Sequence, residues 1–328
     1  MFQVSVIVPC RNEKKFISKC LDSIINQDYP KEKLEVLVID GMSDDGTRDI
    51  VKKYIQKYSF IKFLDNPKKI KPCALNLGIK KAKGDVIIIM DAHSVYSKDY
   101  ISRCVANLEK YKVDNVGGLL KTIPPNNNLI AKAIAVCFNH FFGVGGSIFR
   151  TGAQEPQLVD TVFCGCYKKE VFDKVGLFNE NLVRSQDMEF NLRLKKAGGK
   201  ILLVPDIVAY YYPRSTLKSF FLHNFEDGVW AVYPLKFVKI PFKLRHYIPL
   251  IFVSSLLGSL FLSLFSLIGK ILFILIFGSY FLVSLFFSFE IAIKKGWEYF
   301  FIMPVVFFAR HFAYGLGSLW GIVRILIS

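Results

Sequence analysis

The sequence is short of acid. It holds 27 Asp and Glu against 43 Lys and Arg, a net charge of +16 at pH 7. Such an excess favours an anionic partner, either nucleic acid or a membrane surface. No nucleic-acid-binding motif is recognisable. One basic cluster, Lys236, Lys239, Lys243 and Arg245, stands just ahead of a long apolar run, so membrane lipids are the expected partner and nucleic acid is not. Paired cysteine spacing is also missing. The seven cysteines, at 10, 20, 73, 104, 137, 164 and 166, are scattered, and Cys164-Gly165-Cys166 is too tight for a zinc knuckle. Reduced thiols in a cytosolic domain are expected. No internal repeat is present, which excludes a repeat architecture. No secretory leader is expected either, because Met1-Phe2-Gln3 leads directly into a strand.

Charge is absent altogether from two stretches, Tyr247–Ile268 with 22 residues and Ile271–Phe289 with 19. Each is close to the roughly 20 apolar residues that cross a bilayer as a helix. In tandem, residues 247–289 read as a transmembrane hairpin, with 236–246 as a basic juxtamembrane segment. A third apolar stretch, Tyr299–Ile327, is interrupted by Pro304, Arg310, His311 and Arg324. Residues 290–328 are therefore either a third span or interfacial helices. Positive charge beside a span marks the cytoplasmic side. An integral membrane protein with a cytoplasmic domain follows, most naturally in the plasma membrane of a prokaryote.

Ahead of that segment, two apolar runs end abruptly in aspartate: Leu34–Asp40 and Asp85–Asp91. Short β-branched runs read as buried strands of a parallel sheet. Strands at Val4–Pro9, Leu34–Asp40, Ile61–Leu64 and Val86–Met90 alternate with helices at Phe16–Asn26, Thr47–Tyr58, Pro72–Ala82 and Tyr100–Tyr111. The second of these helices is expected to be capped by Ser43-Asp44-Asp45. This rhythm implies an α/β fold with helices on both faces of a mainly parallel, Rossmann-like sheet. Ligands of such sheets collect at the carboxyl ends of the strands, where both aspartates fall. Further along, Leu129–Phe142 reads as an in-plane or capping helix, and glycine-rich Gly143–Asp160 as a lid. Strands Thr161–Tyr167 and Lys200–Val204 and helices Lys169–Val175, Asp187–Ala197 and Leu217–Trp230 follow.

Val8-Pro9-Cys10-Arg11-Asn12-Glu13, Asp40-Gly41-Met42-Ser43-Asp44-Asp45-Gly46-Thr47, Ala74-Leu75-Asn76-Leu77-Gly78 and Met90-Asp91-Ala92-His93 occur in the order seen in family 2 glycosyltransferases of GT-A fold. Val175-Gly176-Leu177-Phe178-Asn179-Glu180 and Ser185-Gln186-Asp187 continue the resemblance, which covers about residues 3–235, within a domain expected at 1–235. The Tyr212-Pro213-Arg214 and Gly228-Val229-Trp230 segments are similar to the branch containing succinoglycan-type glucosyltransferases. The resemblance implies a nucleotide-sugar site with Pro9, Arg11 and Glu13 about the base and ribose, and with Lys71 and Asn76 toward the donor. Asp40 would accept from the base, and a carboxylate suits the N3–H of uracil, which favours a UDP-sugar. Asp91 and His93 stand where the family shows an Asp-x-Asp pair, so a divalent metal is implied. Histidine in the third position favours Mn²⁺ over Mg²⁺, since magnesium prefers oxygen.

By the same resemblance Asp187 is the catalytic base of an inverting transfer. The family has a Glu before it, and here Gln186 removes one like charge that would raise the Asp pKa. The residue-level alternative is that Asp187 simply caps its helix. Arg214, His223 and Trp230 are placed on the acceptor or diphosphate side, although the Gln-x-x-Arg-Trp motif of processive relatives is absent. The expected enzyme passes one sugar from a UDP-sugar to a lipid-linked or glycan acceptor. A polyprenol-phosphate glycosyltransferase, a processive synthase and a silent nucleotide-sugar-binding scaffold are the rivals.

Overall fold

Every residue of β1 (Val4–Cys10) and β2 (Leu34–Asp40) is buried, as in strands covered on both faces. The computed structural model, which describes residues 1–238 and 243–327, sets the two strands parallel, with Cys10 opposite Asp40. β3 (Ile61–Asp65) lies parallel beyond β2 with Asp65 level with Asp40, and β4 (Val86–Ile89) lies parallel to β1 on its other side. Helices α1 (Ile17–Ile25), α2 (Thr47–Lys57) and α3 (Lys71–Lys81) join these strands. The loops after β1, β2 and β4 therefore gather at one edge, as the sequence implies.

The remaining strands are β5 (Ser94–Tyr96), β6 (Asn115–Thr122), β7 (Gln157–Leu158), β8 (Phe163–Lys168) and β9 (Ile201–Tyr211). The sheet runs β3-β2-β1-β4-β8-β6-β9-β5, with β7 paired to β9. It is mixed: parallel through its first four strands, antiparallel where β8 meets β4 and β6 and where β5 and β7 meet β9. Helices α4 (Tyr100–Lys110), α5 (Leu129–Asn139), α6 (Phe141–Val144), α7 (Ile148–Thr151), α8 (Glu170–Val175), α9 (Gln186–Lys196) and α10 (Leu217–Val232) complete the order up to the apolar segment. Part of the expected lid is regular structure, since α7 and β7 lie within it. The expected strand at Lys200–Val204 continues through Pro205 to Tyr211.

The chain divides into two units, Met1–Lys121 with Ile148–Tyr211, and Thr122–Ser147 with Tyr212–Ser328. Helices α5 and α10 fall in the second unit. That unit also holds α11 (Ile248–Ser263), α12 (Leu267–Lys295) and α13 (Glu298–Ile327). By length and composition, α12 and α13 are the helices fit to cross a membrane among the described residues, and α11 is shorter. The expected hairpin arms are redrawn: the first stops at Ser263, ahead of Ser266, whose hydroxyl accepts from the Gly269 amide at 3.0 Å and so opens α12. The third stretch is one helix with Pro304 inside it. Lys239 of the basic cluster lies outside the described residues.

Glycine sets the spacing of α10 and α13. A Cβ at Gly228 would stand 1.9 Å from the Tyr314 carbonyl oxygen, and one at Gly317 would stand 1.9 Å from that of Phe225. Ser318 Oγ donates to the Gly228 carbonyl at 3.1 Å. Close backbone approach through small residues is how apolar helices gain packing where water supplies no driving force.

Candidate active site

Polar side chains of the first two loops hold each other. The Asn12 amide donates to Ser43 Oγ at 2.8 Å, the Glu13 amide to Thr47 Oγ1 at 2.8 Å, and the Lys14 amide to Asp45 Oδ2 at 3.0 Å. In return the Asp44 amide donates to Asn12 Oδ1 at 3.1 Å. Asn12 and Met42 take left-handed backbone at φ 57° and 59°, a conformation that asparagine tolerates better than most residues. The helix cap differs from expectation: Gly46, at φ 98°, is the capping residue of α2, and Asp45 accepts from the Thr47 amide one position later.

Asp40 is fully buried. One of its oxygens accepts from Ser43 Oγ at 2.5 Å, the other from the Ser43 amide at 2.9 Å and from Arg48 Nη1 at 2.8 Å. Arg48 also reaches Asp65 at 2.8 Å, so one guanidinium compensates two carboxylates that the parallel register sets side by side. Both oxygens of Asp40 are thus engaged by Ser43 and Arg48. In this arrangement Asp40 braces the loop. Pro9 is buried within β1, and the exposed Arg11 lies against Gly41, where a Cβ would meet it at 3.2 Å.

At the end of β4, Lys71 Nζ lies 2.5 Å from Asp91 Oδ1. Burial disfavours the Lys71 ammonium, yet Asp91 outweighs it and raises the lysine above its ordinary value. Burial likewise disfavours the Asp91 carboxylate, and Lys71 with His93 overcomes this and lowers it. His93 Nδ1 faces Glu13 Oε1 at 3.2 Å, and the ring meets Tyr211 edge-on at 5.5 Å. A Glu13–His93 pair puts the proton on Nδ1 and leaves Nε2 for a metal, the usual orientation of histidine ligands. No group of three His, Cys, Asp or Glu side chains converges among the described residues. Asp91 and His93 thus suit a divalent ion whose remaining ligands come from a diphosphate and water.

Asp187 is the second residue of α9, one place inside Gln186, and Ser185 at φ 61° is the cap. Ser185 makes no capping bond through its side chain, and the Asp187 carboxyl instead accepts from first-turn amides, so a helix-start role and a role in the site are compatible there. Desolvation in the cleft raises the Asp187 carboxyl, with Asp91 adding to it, while Lys71 and the Met188 amide oppose. The rise persists although Gln186, which is buried, brings no negative charge. Lys71, Asp91 and Asp187 form one electrostatic cluster.

Asn76 has a different place from the one expected. Its amide nitrogen donates to the Phe178 carbonyl at 2.9 Å and to Glu180 at 3.1 Å, and its oxygen accepts from the Phe178 amide at 2.9 Å. Arg193 of α9 donates to the Val175 and Leu177 carbonyls at 2.6 and 2.8 Å, and Lys68 pairs with Glu180 at 2.7 Å. The connector from α8 to α9 is thereby tied both to α3, which carries Lys71, and to α9, which carries Asp187. Replacing Asn76 by Ala strands buried backbone groups, at about 1–3 kcal/mol. A lower melting temperature, with kcat reduced more than the donor KM changes, is the expected result. A variant with unaltered melting and kcat would remove the connector from consideration.

Arg214, His223 and Trp230 belong to the second unit. Arg214 is exposed ahead of α10, His223 lies 3.5 Å from Asp227, and Trp230 meets Tyr233 edge-on at 5.5 Å. Sequence reasoning missed Asn12, Ser43, Thr47, Arg48 and Arg193 as site-building residues. Asn12, Ser43 and Thr47 were present as polar residues within the motifs, and Arg48 and Arg193 lie outside them.

The model of the glycosyl transferase family 2 matches residues 5–176. A dolichyl N-acetyl-alpha-D-glucosaminyl phosphate 3-beta-D-2,3-diacetamido-2,3-dideoxy-beta-D-glucuronosyltransferase of Methanococcus voltae is 32% identical over 98% of the chain and 97% of its own length. The succinoglycan biosynthesis protein ExoA of Rhizobium meliloti is 32% identical over 68% of the chain and 67% of its own. Among solved structures, the mannosyltransferase PcManGT from Pyrobaculum calidifontis, in complex with GDP-Man and Mn²⁺, superposes with a TM-score of 0.62 at 21% identity, covering 97% of this chain and 87% of that one.

Proposed function

Because the chain belongs to glycosyl transferase family 2 and is a glycosyltransferase, we propose that it transfers one sugar from a UDP-sugar to a hydroxyl of a lipid-linked or glycan acceptor, with inversion, at the cytosolic face of a membrane. The observation that carries this reading is the cluster of Lys71, Asp91 and Asp187 at the carboxyl edge of the sheet. Lys71 places a cation where the donor diphosphate would lie, and Asp187 stands as the carboxylate that takes the acceptor proton. A divalent ion on Asp91 and His93 would neutralise the departing diphosphate. The imidazole nitrogen favours Mn²⁺ there.

The lipid-linked acceptor is supported by the Methanococcus protein, whose name specifies a dolichyl phosphate-linked sugar and whose likeness extends through the C-terminal helices. Residues 1–235 would carry the chemistry, 236–246 the contact with anionic headgroups, and α12 and α13 the anchorage. The uridine preference rests on the family resemblance, and PcManGT, of the same fold, holds a guanosine donor.

The test is incorporation of labelled sugar from UDP- and GDP-sugars into membrane lipid extract, with Mn²⁺, Mg²⁺ or chelator. Lipid labelling from a UDP-sugar, strongest with Mn²⁺ and lost with chelator, is expected. Labelling from GDP-sugars alone overturns the donor base. No labelling of lipid, with labelling of a soluble glycan, overturns the lipid acceptor.

A further inference from the structure

Two arginines from distant parts of the second unit converge on one turn, at whose start His140 faces Glu290 at 3.9 Å. Arg310, in the interior of α13, donates through Nε to the Gly143 carbonyl and through Nη1 to Asn224 Oδ1. Its guanidinium lies 4.8 Å from the centre of the Phe138 ring. Arg245, just before α11, donates through Nη1 to the Gly146 carbonyl at 3.2 Å and through Nε to His246 Nε2 at 3.3 Å. Residues 140–147 contain no carboxylate, and Cβ atoms at Gly145 and Gly146 would meet nothing within 4 Å. Tyr314 stands within electrostatic reach of both arginines and of Asp227. Asp227 lies 3.5 Å from His223. Among the described residues neither arginine has a carboxylate in ion-pair contact.

A guanidinium in an apolar helix is costly and marks a site unless a partner offsets it. The two bonds that Arg310 makes use neutral acceptors and two of its five N–H groups. Tying α13 to α10 and the turn accounts for those bonds. It does not account for a second arginine on the same turn or for the open space beside the glycines. Guanidinium groups match phosphate oxygens in fork geometry, and the helices around this turn are those that would lie in lipid.

We propose that Arg245 and Arg310, set on the Gly143–Gly146 turn, bind the phosphate or diphosphate that joins the acceptor's saccharide to its lipid. This rests on the lipid-linked acceptor proposed above. The class of ligand is a prenyl phosphate ester, with the phosphate on the arginines and the chain along the apolar helices.

The test is calorimetric binding of farnesyl diphosphate, with farnesol as the neutral control, to the full-length protein in detergent. Arg310→Gln also removes the bond from α13 to Asn224 of α10, so Arg245→Gln decides. The expected result is an affinity for farnesyl diphosphate about tenfold weaker in Arg245→Gln, with farnesol unaffected. Equal affinity in wild type and Arg245→Gln, or no binding by wild type, overturns the site. Displacement by phosphatidylglycerol at equal concentration overturns the assignment to the acceptor in favour of a general headgroup contact. Farnesyl diphosphate binding needs no transfer, so a wild type that labels no lipid yet binds this probe through Arg245 fails the proposed acceptor and keeps the phosphate site.

Discussion

Asp187→Asn should lower kcat by about 10²–10⁴, the usual contribution of a positioned general base, with the donor KM little changed. The substitution keeps the size and one acceptor oxygen and removes the negative charge, and with it the capacity to take a proton. The pH profile should agree. Desolvation raises the Asp187 carboxyl, so activity should fall with decreasing pH through a midpoint above the ordinary aspartate range. Lys71 opposes that rise; in Lys71→Met, at saturating donor, the acidic limb should move to still higher pH. Full activity in Asp187→Asn would point to an acceptor that needs no base, such as the already ionised oxygen of a polyprenol phosphate. A limb at the ordinary aspartate position would remove Asp187 as the titrating group.

Gly228→Leu should be the most damaging substitution in the helical unit. The α10 and α13 backbones approach so closely that a Cβ at 228 would lie 1.9 Å from a carbonyl oxygen, and that oxygen cannot rotate away. The helices must separate, which gives up the Ser318 bond and the packing of the neighbouring glycines. A loss of about 3 kcal/mol or more is expected, read as a large fall in melting temperature in detergent and as protease cleavage within α10. A variant that melts like the wild type would mean that the two helices stand further apart.

The parallel half of the fold was legible because β1, β2 and β4 are buried on both faces and so read as unbroken apolar runs. The antiparallel half was less so. β5 and β7 are short, and Pro205 in β9 reads as a stop although the strand continues past it. The apolar helices were recognisable, but their ends were not: Leu264 and Phe265 are as apolar as the residues they separate, and the turn there is set by Ser266. For the site, Asp91 and Asp187 stand out in the sequence by type and position, and the structure sets both within electrostatic reach of Lys71. Asp40 and Asn76 could not be assigned from type: Asp40 takes its bonds from Ser43 and from Arg48, which also reaches Asp65, and Asn76 holds Phe178 and Glu180, distant in sequence.

The four bonds between the loops after β1 and β2 bear on how a donor would be held. Neither loop can reorganise alone, since Asn12, Glu13 and Lys14 give their amides to side chains of the other. The surface offered to a nucleotide is thus ordered when the chain folds, and little conformational entropy is left to lose on binding. Affinity there depends on residues that need never touch the ligand. Loss of a single hydroxyl at Ser43 or Thr47 would return freedom to both loops together and shorten the donor's residence.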